Sequence, residues 1–181
     1  MSGPGSNPDI QQTKNLVVNL DSFIKNNNIK SILDMTCGDF AWMKKIIELN
    51  QNLKYYGFDI VKEIIDLNAQ RYGSDNVKFF QKDILNELNF DNYDLIIIRD
   101  FFIHIPINDI TKILSVLFKS KIRFLAITQY EDVLLNTDIV TGKHRKINLS
   151  IKPFNLPEAF MKILDSRIDD CRYLNIYKIL P

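Results

Sequence analysis

Carboxylates recur through the first hundred residues, each closing a short apolar run: Asp34 after Ser31-Ile-Leu, Asp59 after Tyr55-Tyr-Gly-Phe, Asp83 after Val77-Lys-Phe-Phe, and Arg99-Asp100 after Leu95-Ile-Ile-Ile. Thr128 closes a fifth run. One acid at such a place means little, but a series in register suits a polar ligand, because a carboxylate can accept two hydroxyl hydrogen bonds or pair with an amine. His104 lies four residues past Asp100, a spacing that puts both on one side of a helical turn. An imidazole titrating near neutral pH is a natural general base for a hydroxyl, with Asp100 as the second candidate. The competing role for His104 is to cap backbone groups of a short helix ending at Pro106.

The elements that must position these groups alternate. A helical pattern runs from Ile10 to Asn26, with Leu16, Val17, Leu20, Phe23 and Ile24 at helical spacing. A short strand, Lys30 to Asp34, leads through the turn Met35-Thr-Cys-Gly-Asp39 to a second helical stretch, Phe40 to Leu49. Strands are predicted over Leu53 to Phe58, Val77 to Phe80, Tyr93 to Ile98 and Ile122 to Thr128. Helices are predicted over Val61 to Tyr72 and Ile107 to Phe118, the latter with Asn108 as N-cap. Such alternation implies an α/β fold, a mainly parallel sheet with helices on both faces. Ligands of such sheets bind at the carboxyl ends of the strands, where these acids stand. From 129 to 157 the alternation breaks; a segment that long in a compact fold is usually functional. Phe160 to Ser166 and Cys171 to Leu180 read as a closing antiparallel hairpin.

The turn Leu33-Asp-Met-Thr-Cys-Gly-Asp-Phe-Ala-Trp42 resembles the first motif of class I S-adenosylmethionine-dependent methyltransferases. Only Gly38 of that motif's three glycines is present, with Thr36 and Phe40 at the other two places. Asp59, about 20 residues on, is also where dinucleotide dehydrogenases hold a ribose. A single glycine fits a pyrophosphate cradle badly, since phosphate needs several close backbone amides, and this favours the methyltransferase reading. The resemblance implies a Rossmann-like fold and S-adenosylmethionine as cofactor, with S-adenosylhomocysteine as product. It further implies that Asp34 lies near the cofactor amine, directly or through water. Thr36, Cys37, Gly38 and Phe40 would line the cofactor, Asp59 would bind the ribose hydroxyls with Ile60 beside it, and Asp83 would bind the adenine amino group. Ile84 flanks the adenine or belongs to the core. Arg99 contacts the cofactor carboxylate or holds Asp100. Cys37 is a small turn residue, not a nucleophile, and Trp42 is read as core.

A closer resemblance runs through Cys37-Gly-Asp-Phe-Ala-Trp-Met43, Tyr56-Gly-Phe-Asp-Ile-Val61, Arg99-Asp-Phe-Phe-Ile-His-Ile105, Asp138 to Leu149 and Pro153-Phe-Asn-Leu-Pro157. Together these look like a small group of class I methyltransferases associated with polysaccharide and glycan gene clusters. His144 stands where that group carries Trp. The implied activity is O-methylation of a sugar or nucleotide-linked sugar, with Asp138, Arg145 and Asn148 in the acceptor site. Arg145 offers a planar fork for an anionic group; a solvated basic loop is the other reading of Lys143-His-Arg-Lys146. Methylation of RNA or protein, or a cofactor-binding subunit without activity, are the competing functions.

Composition bounds the rest. The 181 residues are 46% hydrophobic and 25% charged, enough to bury a core and ordinary for one domain, expected over 10–181. Residues 1–9 read as a flexible leader or expression scar. A net charge of +1 disfavours a nucleic-acid partner. Two cysteines and two histidines supply neither a disulfide scaffold nor a zinc set, and no metal is called for. With no apolar run of spanning length and no apolar leader, no membrane partner is expected and the expected location is cytoplasmic.

Overall fold

The computed structural model describes residues 11–86, 90, 92–165 and 171–179; the expected leader lies outside them. Helix α1 (Gln11–Asn26) buries the five apolar residues that set its period. Strands β1 (Ser31–Met35), β2 (Lys54–Asp59), β3 (Val77–Gln81), β4 (Leu95–Ile98) and β5 (Phe124–Tyr130) alternate with α2 (Met43–Leu49), α3 (Lys62–Tyr72) and α4 (Ile107–Leu117). Two further strands follow, β6 (Met161–Leu164) and β7 (Arg172–Lys178).

The seven strands form one sheet in the order β3-β2-β1-β4-β5-β7-β6. β1 to β5 are parallel, and β7 is antiparallel to both β5 and β6. This is the mainly parallel Rossmann-like sheet with an antiparallel C-terminal pair that the sequence implied. The last strand is interior, however, and β6 is the edge. Residues 174–177 of β7 are all buried, which suits an inside place, whereas β6 exposes Lys162.

Strand alternation divides the core in two. Ile32, Tyr55, Leu95, Ile97 and Ala126 pack with α1, α2 and Ile65 of α3 on one face. Leu33, Ile96, Ile98, Leu125 and Ile127 pack with α4 on the other. Ile147 and Leu149 join the second face, so the segment after β5 folds back onto the sheet. It has no helix or strand over 131–160, yet Tyr130 N–H donates to Ile147 O (2.8 Å) and Leu149 N–H to Gln129 Oε1 (3.1 Å). Helix α4 corrects one expectation. Its N-cap is Pro106, and Asn108 lies inside it. The acceptor at its first amide comes from the distant loop: Ile107 N–H donates to Asp138 Oδ1 (2.8 Å).

Candidate active site

The strand order reverses between β1 and β4, so the crevice available to a ligand opens at their carboxyl ends. The turn leaving β1 is shaped by left-handed φ at Thr36 (71°), Gly38 (53°) and Phe40 (61°). It lies over β2: Cys37 N–H donates to Phe58 O (2.8 Å), and Gly57 leaves room for it. A Cβ on Gly57 would stand 3.0 Å from the Cys37 Sγ and 2.8 Å from Phe79. Asp59, closing β2, accepts Gly38 N–H on Oδ2 (3.1 Å) and Val61 N–H on Oδ1 (3.0 Å). A carboxylate offers about four lone-pair sites, so two are left for hydroxyls. Ile60 beside it is 60% exposed, while Ile84 is buried in the core. Asp83 closes a local turn, accepting Leu85 N–H (3.1 Å) and Asn86 Nδ2 (2.7 Å).

Asp34 is buried and accepts the Tyr55 hydroxyl (2.8 Å). Burial pushes its carboxyl up to about 7, against the opposing hydrogen bond and the charge of Arg99. Burial, then Asp34 and Asp59, push the Cys37 thiol up, so it stays a neutral small residue as expected. Phe40 corrects the sequence reading. It is 2% exposed, and its ring packs on Tyr55, Tyr72 and Phe79 with centroids 4.9–5.3 Å away. Its side chain belongs to the aromatic core.

At the end of β4, Arg99 pairs with Asp165. Nε and NH2 donate to the two oxygens of Asp165 (2.8 Å each), and the guanidinium lies 5.1 Å from the Trp42 ring. Arg172 bridges onward, donating to Asp165 Oδ2 (2.9 Å) and Asp100 Oδ2 (2.7 Å). Arg172 thus holds Asp100 by a direct hydrogen bond. Asp100 takes a left-handed φ of 60°, and its Oδ1 is buried without a partner among the described residues. Strain and an unsatisfied acceptor together mark a ligand-facing position. Asp165 and Arg172 were missed in the sequence, as was Asn68 of α3, whose Nδ2 donates to Gly38 O (2.7 Å). Nothing in their spacing announces contacts made across the sheet.

His104 ends a 3-10 turn, Phe102–His104. Asp100 and His104 do not share a helical face, because Asp100 sits outside that turn in left-handed backbone. His104 Nδ1 lies 3.0 Å from Lys143 O, and its ring is 5.5 Å from that of His144. A carbonyl only accepts, so Nδ1 carries the proton and the neutral ring keeps its lone pair on Nε2.

The three expected acceptor residues lie in the hydrogen-bond network of the loop. Arg145 is 7% exposed and donates to Thr137 O (2.8 Å), Phe102 O (2.8 Å) and Ile105 O (2.9 Å). Asp138 accepts Ile107 and Ile139 amides. Asn148 donates from Nδ2 to Val133 O (3.1 Å) and accepts Ser150 N–H on Oδ1 (3.0 Å). All three hold the loop together, so the guanidinium fork grips backbone, not a substrate anion.

A cleft of about 860 Å³ opens at the opposite, amino edge of the sheet, lined by Lys30, Ser31, Lys54, Tyr56 and Tyr93 among others. None of the strand-end acids reaches it. Among the described residues no Cys, His, Asp or Glu cluster could hold a metal, and no helix is long and apolar enough to cross a membrane.

The donor set at the carboxyl edge fits S-adenosylmethionine. Asp59 has lone pairs for a ribose diol, and the buried, unpartnered Asp100 Oδ1 suits an ammonium. The chain belongs to the family described as "Methyltransferase domain", whose model matches residues 26–153, and it is an S-adenosylmethionine-dependent methyltransferase. Solved structures share the fold. The N-methyltransferase NodS from Bradyrhizobium japonicum WM9 matches with a TM-score of 0.63 at 11% identity, over 96% of this chain and 99% of that one. The magnesium protoporphyrin IX methyltransferase ChlM from Synechocystis PCC 6803, solved with bound SAH, matches with a TM-score of 0.52 at 21% identity, over 68% and 58%. An O-methyltransferase family protein from Burkholderia thailandensis gives 0.56 at 12% identity, over 69% and 41%. The chain thus spans only about half the length of the last two. No curated protein matches it.

Proposed function

We propose that this methyltransferase O-methylates a hydroxyl of a small acceptor, of the sugar class. The observation that carries the reading is the His104 ring, held through Nδ1 by Lys143 O so that Nε2 is the basic nitrogen. When bound, S-adenosylmethionine supplies a methyl made electrophilic by its positive sulfur. Asp59 binds the ribose hydroxyls, with exposed Ile60 against the base, and Asp83 takes the adenine amino group. Thr36, Cys37 and Gly38 bring backbone to the methionine part, Asp100 receives its amine, and Asp34 lies behind it, reaching the amine through water. His104 Nε2 accepts the acceptor's hydroxyl proton as its oxygen becomes the nucleophile, while the loop that carries Lys143 keeps the site ordered around it. Resemblance of the 138–149 and 153–157 segments supports a sugar. With Arg145 engaged by backbone, a neutral sugar hydroxyl fits better than a phosphate held by that residue.

Methyl-tritiated S-adenosylmethionine offered with neutral sugars, nucleotide sugars, RNA and peptides tests this. Label should enter a neutral sugar or a nucleotide sugar on oxygen; label entering only RNA, peptide or a nitrogen would refute the reading. Asp59→Ala should weaken S-adenosylhomocysteine binding in calorimetry by about 30- to 150-fold, the loss of roughly 2–3 kcal/mol of charged hydrogen bonding. Unchanged affinity would remove Asp59 from the ribose site.

A further inference from the structure

The four successive carbonyls of the His104 turn are all taken by one short stretch of the loop. Phe102 O accepts Arg145 NH1 (2.8 Å), Ile103 O accepts Arg145 N–H (3.0 Å), His104 O accepts Gly142 N–H (2.9 Å), and Ile105 O accepts Arg145 NH2 (2.9 Å). The same stretch returns Lys143 O to the ring at Nδ1. Gly142 reaches its place with φ +86°, a conformation that favours glycine.

A three-residue 3-10 turn cannot satisfy its own carbonyls, and Phe102 and Ile103 are buried, so those groups need partners from elsewhere. Arg145 supplies two of them from one planar group while its Nε holds Thr137 O, which ties both ends of the loop to the turn. An ammonium on a flexible stem has no such fork. The motif that looked like an anion site is thus built to hold backbone.

We propose that residues 142–145 are a positioning device for His104, with Arg145 as its positioning residue. The device fixes the imidazole as the Nδ1–H tautomer and so determines which nitrogen meets the acceptor. This rests on the base role proposed for His104, but it can be tested without turnover. The chain has only two histidines, so ¹⁵N-histidine spectra contain two imidazoles, and His144→Gln identifies each. Above the range in which imidazole is protonated, His104 should show the Nδ1–H tautomer. In Arg145→Ala the ring should become a tautomer mixture, as in a free imidazole. S-adenosylhomocysteine affinity should stay within about twofold. Arg145→Lys, which keeps the charge and most of the stem, should restore the tautomer only in part and carries the test if the alanine variant fails to fold. An Nε2–H tautomer in the unaltered protein, or an unchanged Nδ1–H signal in either variant, would overturn the proposal. Full turnover in His104→Ala would defeat the base role alone, since the tautomer measurement stands apart from it.

Discussion

At the residue scale, Asp34 shows how burial converts a strand-end acid into a titrating group. Its folded value of about 7 lies above the ordinary 3.8, so the native state holds a proton that the unfolded chain releases. The stability from this group is complete below about pH 4 and is lost as pH rises through about 7. Three pKa units correspond to roughly 4 kcal/mol across that window. Asp34→Asn cannot titrate, so its denaturant midpoint, compared with that of the unaltered protein from pH 4 to 8, should lack this part of the slope; parallel curves would show that Asp34 is ionised throughout. His104 gives the catalytic counterpart. Once an acceptor is in hand, His104→Ala should lower kcat by about 10²–10⁴-fold with the cofactor Kd nearly unchanged. A loss below about tenfold would make the ring a structural cap, and Asp100→Asn the next variant to assay. Both residues were legible because an acid closing a strand and a histidine just past one are placed by local rules of sequence. Arg145 was not: a buried clamp and a solvated cation are the same letter, and only its burial distinguishes them.

At the element scale, three strand ends are joined by charge. Arg99 follows β4, Asp165 follows β6 and Arg172 opens β7, and together they hold Asp100 in its left-handed turn. The Arg99 and Asp165 side chains are almost wholly buried, so removing one partner leaves an uncompensated charge in the core. Asp165→Ala should destabilise the fold by about 3–5 kcal/mol in urea unfolding; a shift under about 1 kcal/mol would mean the pair is solvated in solution. Gly57 is the matching steric contact between β2 and the cofactor turn. Gly57→Ala puts a Cβ 2.8 Å from Phe79 and 3.0 Å from Cys37, and should cost about 1–3 kcal/mol through overpacking. Because Cys37 must move, S-adenosylhomocysteine affinity should fall as well, which calorimetry on the folded variant checks.

At the scale of the whole molecule, cofactor and fold are linked. A ligand that binds only the native state stabilises it by about 2.7 kcal/mol at 100 times its Kd. For a chain of this size that is a Tm increase of roughly 5–10 °C with S-adenosylhomocysteine. Asp59→Ala at the same ligand concentration should show a far smaller increase. An equal increase in both would place binding away from the carboxyl edge, for example in the amino-edge cleft near Tyr56 and Tyr93.

Periodicity and strand-end chemistry determined most of this architecture from the sequence alone. The helix over 11–26, the parallel order of alternating elements and the acids at 34, 59 and 83 depend on local rules, in which side-chain alternation and turn residues act over a few positions. The resemblance of the first turn carried the cofactor, and the family match bears it out. Tertiary structure alone decided what each long-range partner would be. Phe40 entered an aromatic core because Tyr55, Tyr72 and Phe79 converge on it from three elements. Asp138 caps α4 from 31 residues away, and Arg99 pairs with Asp165 across 66 residues. The 131–160 segment reads as a loop because its apolar residues follow neither a helical nor a strand period, yet its polar side chains replace a regular backbone ladder. Their hydrogen bonds run to distant carbonyls and amides, and no local pattern in the chain encodes which ones.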